Sequence, residues 1–224
     1  MSGFSYFYML DNQMSRGKLF FYHGPMASGK SLQILATAYN FQEKKIPFII
    51  FKSEIDDRDG SEVIHSRALG DRECVGIKST TNLYKLIVTM MNINNATYKP
   101  QLKWVLVDEA QFLTKEQVDQ LAALVDKFGI SVMCYGLRTD FKTQLFEGSK
   151  RLFEVADTIE EIKSSCECDN KCIFNARIDK YGNVVVDGEQ IEIGGDDRYT
   201  SMCRKCYHEK TKHPLYVKNN EEEY

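Results

Sequence analysis

Apolar and polar positions along the chain alternate between two periods. Leu19-Phe20-Phe21-Tyr22 is a short apolar run bounded by charge on one side and glycine and proline on the other, which predicts a buried strand. From Leu32 to Phe41 the period changes, and placing Leu32, Leu35, Ala36 and Tyr39 on one face predicts a helix. Pro47-Phe48-Ile49-Ile50-Phe51 reads as the second strand and Asn82 to Met91 as a helix. Lys103 to Val107 reads as a strand, and Lys115 to Phe128 as a helix that stops at Gly129. Ile130 to Tyr135 and Asp157 to Ile162 complete a strand–helix alternation that predicts a parallel sheet with crossover helices over residues 17–163. Beyond it the pattern differs in kind. Ile173 to Ile178 and Val184 to Val186 flank Lys180-Tyr181-Gly182-Asn183, which predicts a hairpin.

The chemistry begins where the first strand ends. Gly24-Pro25-Met26-Ala27-Ser28-Gly29-Lys30-Ser31 spells G-x-x-x-x-G-K-S between a predicted strand and a predicted helix. Glycines let such a loop curl with its N–H groups inward, and the loop feeds the positive end of the helix, so the expected ligand is a nucleoside triphosphate. Lys30 would reach the β- and γ-phosphates, and Ser31 would meet Mg²⁺. A second element is needed to hold the metal, and the Lys103–Val107 strand ends in Asp108-Glu109-Ala110-Gln111-Phe112. Asp108 suits the metal. Glu109 is then left for another task, that of general base if the acceptor is a hydroxyl.

Composition narrows the class. The 224 residues allow one core plus a small appendage, and 43% apolar and 27% charged residues are ordinary for a globular protein. A net charge of −3 argues against a surface that coats nucleic acid and for a small substrate. No apolar run is long enough to span a bilayer, and Phe4 to Leu10 lacks the basic segment of a signal peptide, so a cytoplasmic protein without a membrane partner is expected. Residues 1–16 read as an extension and 211–224, with Glu221-Glu222-Glu223, as a disordered tail.

Five of the seven cysteines cluster: Cys166, Cys168 and Cys172, then Cys203 and Cys206 about 35 residues later. Two short cysteine turns suggest a tetrahedral zinc site bracketing the hairpin, in a part (164–210) too small to hold a core alone. A disulfide framework is the competing reading, disfavoured in a reducing compartment. From the residues alone any two of the first three cysteines could pair, and His208 is an alternative fourth ligand.

These motifs resemble those of the cytoplasmic, zinc-containing (type II) thymidine kinases. The resemblance runs from about Gly17 to Tyr207. It rests on Gly24 to Ser31, Asp108-Glu109-x-Gln111-Phe112, Gly136-Leu137 with Asp140-Phe141, Ile193-Gly194-Gly195 with Tyr199, and Cys203-Arg204-Lys205-Cys206. It implies an α/β fold, a P-loop parallel sheet with a small zinc-bound β-hairpin domain, and transfer of the γ-phosphate of ATP to the 5′-hydroxyl of thymidine in nucleotide salvage. It implies Glu109 as the base, with ATP held by residues 24–31, Arg58 and Asp108, Glu109, Ala110 and Gln111. Thymidine would meet Met26, Phe112, Leu137, Phe141, Tyr199 and a lasso of Gln190, Ile191, Glu192, Ile193 and Gly194, whose backbone reads the base. One branch of the family carries C-x-C, which implies Cys166, Cys168, Cys203 and Cys206 as zinc ligands and leaves Cys172 out. A homotetramer and inhibition by dTTP are implied as well. Two other classes fit parts of the sequence: a helicase fragment, since Asp-Glu-Ala-Gln ends a strand there too, and a non-catalytic nucleotide switch. ATP turnover that depends on thymidine, on nucleic acid or on neither separates them.

Overall fold

The computed structural model describes residues 17–56, 60, 62–66, 69–96, 101–191 and 198–211. Arg58, Glu192, Ile193 and Gly194, together with the extension at 1–16 and the tail from 212, lie outside the described residues.

A six-stranded parallel sheet is built from β1 (Leu19–His23), β2 (Phe48–Ser53), β5 (Val75–Ile77), β6 (Trp104–Asp108), β7 (Ser131–Gly136) and β8 (Thr158–Glu161). Their order across it is β5-β2-β6-β7-β1-β8. Alternation along each strand sends side chains to opposite faces. Leu19, Phe21, Phe51, Val105, Val107, Val132 and Cys134 go to one face, and Ile50, Leu106 and Tyr135 to the other. Three helices cover the first face: α2 (Leu83–Ala96), α3 (Lys115–Phe128) and α4 (Glu147–Val155). The second is covered by α1 (Lys30–Glu43). With both faces roofed, the strands carry nearly unbroken apolar runs. Phe21 and Phe51 are fully enclosed, each worth roughly 1.5–3 kcal/mol relative to exposure.

Helix α1 is rotated from the expected face. It buries Ile34, Leu35 and Ala38, while Leu32 and Tyr39 are 40% and 58% exposed. Lys30, at the first helical position, is buried as well, four and eight residues before Ile34 and Ala38 on the inward face. Helix α3 follows its sequence: Thr114 and Gln117 form a capping box and Gly129 closes the other end.

The pattern did not foresee a polar hairpin, β3 (Val63–Ser66) with β4 (Gly70–Glu73), or the edge strand β5 behind it. Nor did it foresee α4. That helix buries Gly148 and Ser149 as well as Leu152, so it lacks a wide apolar stripe. A Cβ on Gly148 would meet the Ala110 carbonyl oxygen at 2.5 Å, so the helix presses directly on the turn after β6.

The second sheet is antiparallel: β9 (Phe174–Ile178) lies between β10 (Val184–Val185) and β11 (Tyr199–Met202), followed by α5 (Arg204–Thr211). Here the hairpin is present with a third strand added.

Candidate active site

The C-terminal ends of β1, β6 and β7 converge, the usual place for a ligand in an open α/β sheet. The loop after β1 turns through Ala27 and Gly29, both left-handed at φ 56° and 88°, and enters α1 with Gly29 at the cap. No side chain caps α1 and its first turn holds no acid, in contrast to the capping box and Glu116 of α3. Uncapped N–H groups at the positive end of a helix suit an anion. Ser28 Oγ is buried without a hydrogen-bond partner in the same loop, a further donor facing inward. Lys30 is 8% exposed and folds back, donating to the Pro25 carbonyl at 2.7 Å and the Gly24 carbonyl at 3.2 Å. Ser31 follows on the first turn.

At the end of β6, Asp108 is 3% exposed and accepts the Glu109 N–H at 2.9 Å. Burial pushes its carboxyl up to about 7, the Glu109 charge adds to the rise, and Lys30 and Lys52 oppose it. Lys52 lies level with Asp108 on β2 and is 3.6 Å from Asp56. A carboxylate this reluctant to ionise gains most from a cation beside it. Glu109 is left-handed at φ 51°. Gln111, 1% exposed, donates from its side-chain amide to a Glu109 carboxylate oxygen, and its own amide oxygen accepts the Leu137 N–H at 2.9 Å. Ala110 and Phe112 complete the turn, and the Phe112 ring meets Phe146 edge-on.

Leu137 follows β7, with its carbonyl accepting from Ser149 Oγ. Phe141 is 1% exposed, and the Arg177 guanidinium lies 3.8 Å from its ring centre. Arg177 also donates to Tyr199 Oη at 3.0 Å and to the Glu189 carbonyl at 2.9 Å. Gln190 donates to Asp140 Oδ2 at 2.8 Å, while Ile191 is exposed. Met26, Phe141, Gln190 and Tyr199 therefore belong to one region where the small sheet meets the large one, while the hydrogen bonds of Leu137 run to Gln111 and Ser149.

Sequence reasoning passed over Asn175, Arg177 and Ser201. On β9, Asn175 and Arg177 alternate with Phe174 and Ala176, which reads as a solvent-facing edge. Both are 3% exposed, because that face turns to the phosphate loop and Phe141 instead of water.

Behind the loop, the His23 ring lies tilted against Phe21 and edge-on to Phe153. Burial holds its imidazole below the usual value, assisted by Arg138 and opposed by Glu161.

At the far end of the small sheet, the Sγ atoms of Cys166, Cys168, Cys203 and Cys206 lie within 4.8 Å of one another. Four thiolates at ~2.3 Å from a zinc ion would sit ~3.8 Å apart, so this set fits the ion. Asn170 hydrogen-bonds hold the Cys168 thiol down to about 6, and the Cys206 N–H donates to Cys203 Sγ at 3.4 Å. Cys172 is buried against Cys166 and Cys203 but stands outside the four.

The family model for thymidine kinase matches residues 17–207. A thymidine kinase of Haemophilus influenzae (strain 86-028NP) is 45% identical over 193 residues, 86% of this chain and 97% of that one. One of Listeria monocytogenes serovar 1/2a is 46% identical over 191 residues, covering 85% and 96%. Among solved structures, the Pif1 helicase of Candida albicans aligns at 14% identity over 73% of this chain and 39% of that one. Its TM-score of 0.40 is too low to bear on fold or function. No helix among the described residues is long and apolar enough to cross a membrane.

Proposed function

The chain belongs to the thymidine kinase family and phosphorylates thymidine, and on that premise we propose how its residues carry out the transfer. The observation that carries the reading is Glu109 at the mouth of the phosphate loop's sheet, fixed by Gln111 and set beside Asp108. Glu109 accepts the 5′-hydroxyl proton of thymidine as that oxygen bonds to the γ-phosphorus of ATP, and the bond from that phosphorus to the β–γ bridging oxygen breaks to leave ADP and dTMP. The loop of residues 24–31, through its N–H groups from Ala27 onward, and Lys30 hold the phosphates, which requires Lys30 to exchange the loop carbonyls for phosphate oxygens. Ser31 and Asp108 would hold Mg²⁺, which when bound neutralises phosphate charge. Arg58 and Ala110 complete the ATP set.

Residues 17–163 form the kinase part, with residues 164–210 closing over the nucleoside and the four cysteines holding a structural zinc. Met26, Phe112, Leu137 and Phe141 line the nucleoside pocket, and the segment from Gln190 to Gly194 reads thymine through its backbone. The proposal extends to a homotetramer, a cytoplasmic role in salvage and feedback by dTTP, each implied by the resemblance of the sequence motifs.

Thymine presents an N3–H donor flanked by two carbonyls, and cytosine reverses the pattern at N3 and C4. A backbone reader matched to thymine leaves polar groups unpaired with cytosine, at about 1–3 kcal/mol each. Deoxyuridine loses only a methyl contact, on the order of 1 kcal/mol. The expected order of kcat/KM is thymidine, deoxyuridine, then deoxycytidine well behind. Deoxycytidine outrunning deoxyuridine, or ATP turnover indifferent to thymidine, overturns the reading.

A further inference from the structure

Two cross-strand pairs of the small sheet, on the same face and separated by the Ala176–Thr200 pair, grip the two sides of the nucleoside region. In the β9–β11 register Asn175 faces Ser201 and Arg177 faces Tyr199. The second pair holds Phe141 and the Glu189 carbonyl. The first holds Met26. Asn175 Oδ1 accepts the Met26 N–H at 2.7 Å, Ser201 Oγ donates to the Met26 carbonyl at 2.7 Å, and the two side chains are themselves 3.5 Å apart.

Both polar backbone groups of a phosphate-loop residue are thus satisfied by side chains 149 and 175 residues away in sequence. Two consequences follow from the chemistry. The Met26 N–H is already occupied, so it is withdrawn from the set of donors available to phosphate. The Met26 backbone is also fixed by directional bonds at both ends of the residue, where an apolar contact would have let it slide. A buried amide against a backbone N–H is costly to break, since each partner would be left unpaired.

We infer that Asn175 and Ser201 are positioning residues for nucleoside selection: they set where the half-buried Met26 side chain stands as a wall of the thymidine pocket. This rests on the reading of Met26 as part of that pocket. The wall matters most for the smallest substrate difference, the methyl group that separates thymidine from deoxyuridine, because a methyl is recognised only by a surface held at contact distance.

The test compares Asn175→Ala, Ser201→Ala and Ser201→Thr with the parent, zinc content serving as the control for folding. In the two alanine variants the preference for thymidine over deoxyuridine, as a ratio of kcat/KM, is expected to fall several-fold, roughly toward parity. Ser201→Thr keeps the hydroxyl and should keep the preference. Hydrogen exchange of the peptide spanning residues 21–30 supplies a second readout, with Met26 protection lost in the alanine variants and kept in Ser201→Thr. An equal loss for both nucleosides, with the ratio intact, means a merely structural role and overturns the inference, as does unchanged exchange at Met26. If Asn175→Ala loses its zinc, Ser201→Ala decides. If the parent fails to phosphorylate thymidine, it is the substrate reading that falls, and exchange at Met26 alone judges the clamp.

Discussion

Glu109 occupies a left-handed backbone conformation that costs an ordinary side chain on the order of 1–3 kcal/mol and persists where the surroundings impose it. Here they do: its N–H is spent on Asp108, its carboxylate accepts from Gln111, and Gln111 is anchored in turn to the Leu137 N–H. Such a carboxylate is aimed before substrate arrives. Glu109→Gln keeps the shape and the bond from Gln111 but removes the basicity. ATP and thymidine should still bind while single-turnover phosphoryl transfer falls by a factor of about 10² to 10⁴. A rate within a few-fold of the parent rules Glu109 out as base. Behind the loop, His23 makes a prediction of a different kind. Burial lowers its folded value below the unfolded one, so as pH falls the unfolded chain takes up the proton first. The stability His23 confers is therefore complete above the unfolded value of about 6.5 and drains away as pH drops through it toward the folded value. The melting temperature of the parent should fall more between about pH 7.5 and 5.5 than that of His23→Gln. Equal slopes would place the pH dependence elsewhere.

Elements were legible where one physical rule governed them. The runs at 19–22 and 103–107 announced parallel strands because both faces are roofed, and α3 announced itself because its cap chemistry, apolar stripe and closing glycine agree. The order of strand, glycine loop and helix was readable for the same reason. The face of α1 was not, because Lys30, charged and yet buried, shares the inward face with Ile34 and Ala38, and an apolar pattern does not count a lysine. Helix α4 escaped notice because close approach to the turn at 110–113 demands Gly148, and Ser149 is spent on the Leu137 carbonyl, where a stripe would show larger apolar residues. The short strands β3, β4 and β5 lie at the sheet margin with mixed polarity, and tertiary pairing outweighs propensity in so few residues. At the site, the motif residues could be placed from their spacing, whereas Asn175, Arg177 and Ser201 could not. Their polarity mimics a wet edge, and only the meeting of two sheets reveals what they touch.

At the scale of the whole molecule, the cysteine cluster lies at one end of a mechanical line that reaches the pocket. β11 ends at Met202 and Cys203 follows directly; α5 then carries Cys206 and, next to it, Tyr207, whose hydroxyl donates to the Phe141 carbonyl. Among the described residues, the small sheet and α5 bury Ala176, Met202 and Tyr207 as their own apolar core, too little to hold a shape without help. A metal that gathers four thiolates would supply that help and hold β9 and β11 in register over Met26 and Phe141. Serine at Cys166, Cys168, Cys203 or Cys206 should therefore lose zinc by elemental analysis and lower kcat/KM for thymidine by ~10-fold or more. The phosphate loop, built on the large sheet, should still take ATP. Cys172→Ser should keep the ion, since Cys172 fills space beside the cluster without joining it. Loss of zinc in the Cys172 variant with full occupancy in the Cys166 variant would exchange their roles. Zinc loss that left thymidine kinetics unchanged would show that the two sheets hold their contact without the metal, and would cut the line between cluster and pocket.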